Sequence, residues 1–153
     1  MPETAAVEAG RSEPGRVLVF TVDGHEYGLG LESIVEIVRH RGATPVPCSD
    51  PAIAGIVPLR GRMVTLFDLR LCLDRPPRPA GGHAQVIVID SSGDLLGLVV
   101  DSVARVAAVP EGAIEPLPPG LRPGPPGVLG GALRTKDGQV FLLELEAIVK
   151  RLS

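Results

Sequence analysis

The chain carries no tryptophan, one tyrosine and three phenylalanines in 153 residues, so the aromatic platforms on which proteins stack nucleotide bases are missing. Basic residues are not in excess either. Lys and Arg number 15 against 18 Asp and Glu, a formal net charge of -3, which withholds the positive footprint of a nucleic-acid binder. No run approaches the ~18 apolar residues of a membrane span, and residues 1 to 16 (MPETAAVEAGRSEPGR) lack the apolar stretch of a secretory signal. A cytoplasmic protein without direct membrane insertion is expected. The only cysteines, Cys48 and Cys72, have no C-x-x-C partner and no clustered histidines, which suits neither a zinc site nor a disulfide framework. Buried or half-buried thiols are expected instead. His25, His40 and His83 each lie beside Gly, Arg or Ala in polar, turn-like contexts, and a plain surface position is expected for each. An enzyme needs a nucleophile with a base, paired acids or a metal cluster. None stands out, so no catalytic residue, metal or cofactor is expected.

What the chain does have is 19 glycines, 16 prolines and 44% hydrophobic residues, arranged as a repeat. A chain of this length buries about 70% of its unfolded surface, enough for one domain or two small lobes. VLVFTVDGHEYGLGLESIVEIV (17 to 38) aligns without a gap on VIVIDSSGDLLGLVVDSVARVA (86 to 107). Val17/Val86, Val19/Val88, Gly24/Gly93, Gly28/Gly97, Leu29/Leu98 and Ser33/Ser102 are identical, and Glu32 faces Asp101. Each copy reads as a strand, a tight turn (Asp23-Gly24, Ser92-Gly93), a second strand and a further apolar segment, the pattern of β-hairpins. Farther on, the stretch from Gly61 to Leu69 resembles Gly138 to Leu145 if one residue is skipped. Asp68 and Glu144 then recur in one local role, capping the turn or short helix that follows.

Asp74-Arg75-Pro76-Pro77-Arg78-Pro79-Ala80-Gly81-Gly82 stops regular structure and marks a linker between the copies. Pro116 to Gly127 is a second break, with Pro45 to Pro51 as its counterpart in the first copy. Continuous apolar runs such as Leu95 to Val100 suggest strands covered on both faces, hence lobes that pack together. These patterns predict a mainly β protein: a tail over 1–16, then two five-stranded barrels over about 17–73 and 86–149 with linker 74–85, a shared core and few helices.

Four stretches in this order carry a resemblance: LVFTVDGHEYGLGLESIVEIV (18–38), TPVPCSDPAIAGIVPLRGRMVTLFDLR (44–70), GLVVDSVARVAAVPEGAIEP (97–116) and GGALRTKDGQVFLLELEAIV (130–149). Over about Val17 to Leu152 the chain resembles the CheW family of bacterial chemotaxis coupling proteins. The resemblance implies two SH3-like β-barrels and a non-catalytic adaptor that links methyl-accepting chemoreceptors to the CheA histidine kinase. In that family one barrel edge meets the kinase's regulatory domain, and the groove between barrels meets the receptor's cytoplasmic tip. Carried over by motif, the partner-binding residues are Ile34, Glu36, Gly55, Arg60 and Val86. Self-association in arrays is a further implication, since barrel edges invite pairing. Neither a receiver domain nor a kinase module is expected at this length.

Two departures fall in IVPLRGRMVTLFDLR (56–70): the family usually has Asn where this chain has Pro58, and a strand proline where it has Thr65. Proline removes a backbone donor and a side-chain amide together. Arg60 reads either as a hairpin-tip charge held by a local carboxylate or as a planar, bidentate contact at a lobe junction. Gly55 would let a partner helix approach the backbone. A rival reading is a CheW-like fold that binds a small ligand, or a different partner, between its lobes.

Overall fold

A computed structural model describes residues 15–47, 50–79, 83–91, 93–117, 129–136 and 138–150. The N-terminal tail up to residue 14, Cys48 and most of the break from Pro116 to Gly127 lie outside the described residues. The strands are β1 (Arg16–Val22), β2 (His25–Gly30), β3 (Ile34–Arg39), β4 (Ile53–Leu59), β5 (Arg62–Asp68), β6 (Gln85–Ser91), β7 (Asp94–Val100), β8 (Ser102–Ala108), β9 (Ile114–Glu115), β10 (Leu129–Thr135) and β11 (Gly138–Leu143). A 3-10 turn (Leu31–Ser33), α1 (Leu69–Cys72) and α2 (Leu145–Lys150) complete the described elements. The fold is mainly β, with two SH3-like subdomains.

The lobes do not coincide with the repeat copies. One sheet runs β8-β1-β2-β11-β10-β9 and the other β3-β6-β7-β5-β4. The hairpin β1–β2 of the first copy therefore joins the later strands of the second, and β6–β7 joins the later strands of the first. The division at 17–73 and 86–149 is corrected accordingly. The physical reason is the parallel pairing that each copy makes: β2 lies beside β11 (Phe141 opposite Tyr27) and β7 lies beside β5 (Leu66 opposite Gly97). A parallel neighbour cannot be reached by a tight hairpin turn, and here it is supplied by the other copy.

Both sheets close in the same way. The chain leaving β3 bridges back to β4 at Thr44 and Ile56. The chain leaving β8 returns as β9, which pairs with β10. The two-residue strand β9 is why one sheet has six strands where five are expected.

Period-two alternation sorts the side chains into three apolar clusters. On β1, Val17 and Val19 point into one barrel with Val140 and Leu142. On β6, Val86 and Val88 point into the other with Val64 and Leu66. The opposite faces, Leu18, Phe20 and Val22 of β1 and Ile87 and Ile89 of β6, meet in a shared core with Tyr27, Phe67, Leu98 and Ile148. The runs apolar on both faces are thus strands between two apolar layers, as expected. Cys72 is fully buried in the shared core.

The repeated glycines are packing glycines. A Cβ on Gly97 would lie 2.4 Å from Leu66 Cδ2 and 2.7 Å from Val86 Cγ1, and one on Gly28 would lie 3.0 Å from both Leu142 Cδ2 and Val140 Cγ1. Val64 would lie 3.3 Å from the Gly97 Cβ, and Val17 3.5 Å from that of Gly28. The same three positions therefore meet the glycine in each copy, a leucine and a valine of the parallel strand and the valine that opens the hairpin, in agreement with the looser alignment of the later strands. The first of the two acids after those strands behaves as expected. Asp68 caps α1, its carboxylate accepting from the Arg70 amide at 3.0 Å. Glu144 precedes α2 and its carbonyl accepts from Ala147 and Ile148.

Candidate functional site

The hairpin from β4 to β5 turns at Arg60-Gly61, both in the left-handed region at φ 51° and 79°. That turn type suits the strand twist and is normally made by Asn-Gly or Asp-Gly, so arginine is an uncommon occupant. Its side chain reaches across to β3, at the far edge of the sheet. There Nε donates to Glu36 Oε2 at 2.8 Å and Nη2 donates to Oε1 at 3.1 Å. This planar, two-pronged contact, with the Thr44–Ile56 bridge, ties the first and last strands of the barrel together. The hydrogen-bonded guanidinium holds the Glu36 carboxyl below its ordinary pKa. Arg60 remains 76% exposed against 21% for Glu36, so its remaining N–H groups face solvent. Arg62, two residues on, donates to the Gly93 carbonyl.

The other expected contact residues are placed differently. Gly55 is buried, at φ 141°, and a Cβ there would lie 2.3 Å from the Thr44 carbonyl oxygen. The backbone that approaches it is the chain's own closing segment. Val86 is 3% exposed and belongs to the barrel interior, because on β6 it is in step with Val88, while Ile87 and Ile89 on the other face meet the shared core. Ile34 is half-buried and packs against the shared core. Of the five residues, Glu36 and Arg60 come together at the surface. Gly55 lies against the closing segment at Ala43 and Thr44.

Sequence reasoning missed the opposite face of β3. Ile34, Glu36 and Val38 turn inward, so Val35 and Ile37 turn outward, at 52% and 38% exposure. Met63, opposite Pro58 in the β4–β5 ladder, is also exposed. Large apolar side chains exposed on an edge strand make a surface of the kind a protein partner covers. The period-two reading of IVEIVR was available, but with apolar residues on both faces it points to a buried strand rather than to an exposed edge. Val106 on β8, the counterpart of Ile37, is exposed in the same way.

Pro58 costs the ladder nothing. The Ile56 amide points away from β5 to the Thr44 carbonyl, at 2.9 Å. Pro58, two residues on in the same edge strand, has its nitrogen on that outer side, where no further strand of the barrel requires a donor.

Histidine 40 departs from the surface position expected of it. It is half-buried, its Nδ1 lies away from solvent without a hydrogen-bond partner, and burial and the nearby Arg78 charge lower its pKa. Among the described residues no group of three or more His, Cys, Asp or Glu is placed to hold a metal ion, and no helix is long and apolar enough to cross a membrane.

Comparison with known proteins agrees with this fold. The family model for the CheW-like domain matches residues 16–153. The chain is 30% identical over 119 residues to the chemotaxis protein CheW of Bacillus subtilis, covering 78% of this chain and 74% of that one. It is 29% identical over 115 residues to the chemotaxis protein CheW of Klebsiella aerogenes, covering 75% and 69%. The crystal structure of the scaffolding protein TtCheW from Thermoanaerobacter tengcongensis superposes with a TM-score of 0.77 at 27% identity, over 86% of this chain and 90% of that one. With the family model spanning both closed sheets and the hairpin that carries Arg60, the chain belongs to the CheW-like domain family.

Proposed function

We infer that this chain is a chemotaxis scaffold that couples chemoreceptors to the CheA histidine kinase by protein contact, without catalysing a reaction. The observation that carries this reading is edge strand β3, which holds the exposed Arg60 through Glu36 on one face and presents the outward Val35 and Ile37 on the other. It offers an extended apolar strip, a cation with unused N–H groups and an unpaired backbone edge, and no reactive group is needed for any of these to work.

The receptor's helical tip is the partner proposed for the Arg60–Glu36 side, with Gly55 contributing through the closing segment and not through contact. The kinase's regulatory domain is the partner proposed for a barrel edge. Contacts of this size are individually weak and gain strength by repetition in an array. The site of action proposed is the cytoplasm.

The test is titration calorimetry of the full chain with the CheA regulatory domain and, separately, with a receptor-tip fragment from the same organism. Micromolar binding to the kinase domain is expected. Arg60→Ala is expected to weaken the receptor fragment several-fold while leaving kinase binding intact. An absence of kinase binding at micromolar concentrations would refute the scaffold reading.

A further inference from the structure

The segment expected to be a plain linker is held down by charge. Residues 74–79 run from the end of α1 toward β6 across the seam where the two sheets meet. Three carboxylates wait beneath them: Asp23 in the β1–β2 turn of one sheet, Asp68 at the end of β5 in the other, and Asp101 at the crossover between β7 and β8. Arg78 Nη2 donates to Asp101 Oδ1 at 2.8 Å, and its Nη1 lies 3.8 Å from Asp68 Oδ2. Arg75 Nη1 lies 3.8 Å from Asp23 Oδ2. Arg70, on α1, completes the set. It donates to Asp101 through Nε at 3.1 Å and Nη2 at 2.8 Å, and to the Pro76 carbonyl of the strap at 3.3 Å.

Little else fastens the strap. Pro76, Pro77 and Pro79 have no amide to donate. None of residues 74–79 belongs to the three apolar clusters. The described backbone bonds sit at its start, from the Asp74 amide to Leu71 and from the Arg75 amide to Arg70. Segments with few apolar contacts open at low cost, and ion pairs near the surface weaken as salt rises. Beneath the strap, Tyr27 is buried against Phe20 and Phe141, and burial pushes its pKa up, an effect that the nearby Arg75 charge partly offsets.

We propose that residues 74–79 form an electrostatic latch: closed, its arginines bind Asp23, Asp68 and Asp101 across the seam and cap Tyr27, and it opens as a unit while both barrels stay folded. The two ends of the seam differ in this respect. Glu32, which faces Asp101 in the repeat, is exposed in the 3-10 turn, and no strap crosses it among the described residues.

The chain contains one tyrosine and no tryptophan, so its own fluorescence reports on the latch. Acrylamide quenching of Tyr27 in the full chain is measured at low and at about 1 M salt, for the wild type, Asp101→Asn and Arg78→Ala, with far-UV circular dichroism recorded on the same samples. Arg78 does not touch the tyrosine, so its removal acts through the strap alone. At least a twofold rise in the quenching constant for Arg78→Ala, and a smaller rise with salt for the wild type, is expected with an unchanged dichroism spectrum. A quenching constant that stays at the wild-type value, or that rises only in step with loss of the β spectrum, overturns the proposal. Should Asp101→Asn not fold, Arg78→Ala carries the test by itself.

Discussion

Gly55→Ala separates two roles for one residue. If the bare Cα exists to admit a partner's helix, the substitution weakens binding and leaves the isolated protein unchanged. The structure assigns the space to Thr44, whose carbonyl oxygen would lie 2.3 Å from the new Cβ, with its carbonyl carbon at 2.8 Å. These are backbone atoms and cannot rotate away. Two reciprocal hydrogen bonds, Thr44 N to Ile56 O and Ile56 N to Thr44 O, both at 2.9 Å, hold that approach. Displacing the segment loses about 1 kcal/mol for each. The backbone at φ 141° adds about 1–2 kcal/mol for a residue with a side chain. The expected loss is about 3–4 kcal/mol, against a total stability of about 5–15 kcal/mol for a domain, or a fall in Tm of roughly 6–16 °C at this size. Urea unfolding followed by circular dichroism measures it. A loss under about 0.5 kcal/mol, combined with weaker partner binding, would refute the closing-segment argument and restore Gly55 as a contact residue.

The two repeat-related glycines should respond unequally. Gly97→Ala meets Leu66 and Val86 inside a filled barrel and should cost about 1–3 kcal/mol by overpacking, whereas Gly28→Ala, whose nearest neighbours are at 3.0 Å, should cost clearly less in the same urea assay. Acid should loosen the seam. Burial opposes the charge of Asp101, but hydrogen bonds from Arg70, Arg78 and the Asp23 amide outweigh it and bring its pKa from 3.8 down to about 2. The stabilisation is therefore fully present above about pH 4 and is lost as the pH falls through about 2. After solvent screening it amounts to about 1–2 kcal/mol, and Asp101→Asn should flatten the stability profile over that window. Tyr27, raised by burial and only partly offset by Arg75, should ionise above its ordinary value of 10.0 in an ultraviolet titration of the folded protein.

Much of this fold was legible because its signals are local. Hairpin turns announce themselves through Asp23-Gly24, and the capping role of Asp68 follows from its place after a strand and before Leu69. The identity of Gly28 with Gly97 was visible, and its cause, a leucine and a valine from the neighbouring parallel strand, was not. A repeat alignment shows which segments are alike and is silent on which edges pair, so the exchange of hairpins between the copies could not be read from it. The same limit affected the site. Glu36 and Arg60 were chosen by motif, and only the curling of the sheet explains why residues from opposite edges meet. Val86 opens the second copy in sequence, but its register with Val88 sends it into the barrel. Asp101 and Glu32 look equivalent in the alignment. Three arginines brought by α1 and the strap make them different.

The reciprocal exchange of hairpins also sets a schedule for synthesis. The hairpin β1–β2 leaves the ribosome early, but the parallel partner that covers one side of it, β11, is among the last segments made. At ordinary elongation rates the interval is on the order of 5–20 s. During that time an apolar hairpin with both flanks open is exposed to other nascent chains, and those chains carry the same complementary strands. The arrangement that locks the finished monomer is thus also a route by which two chains could trade hairpins, and chaperone demand should be greatest before β8 to β11 emerge.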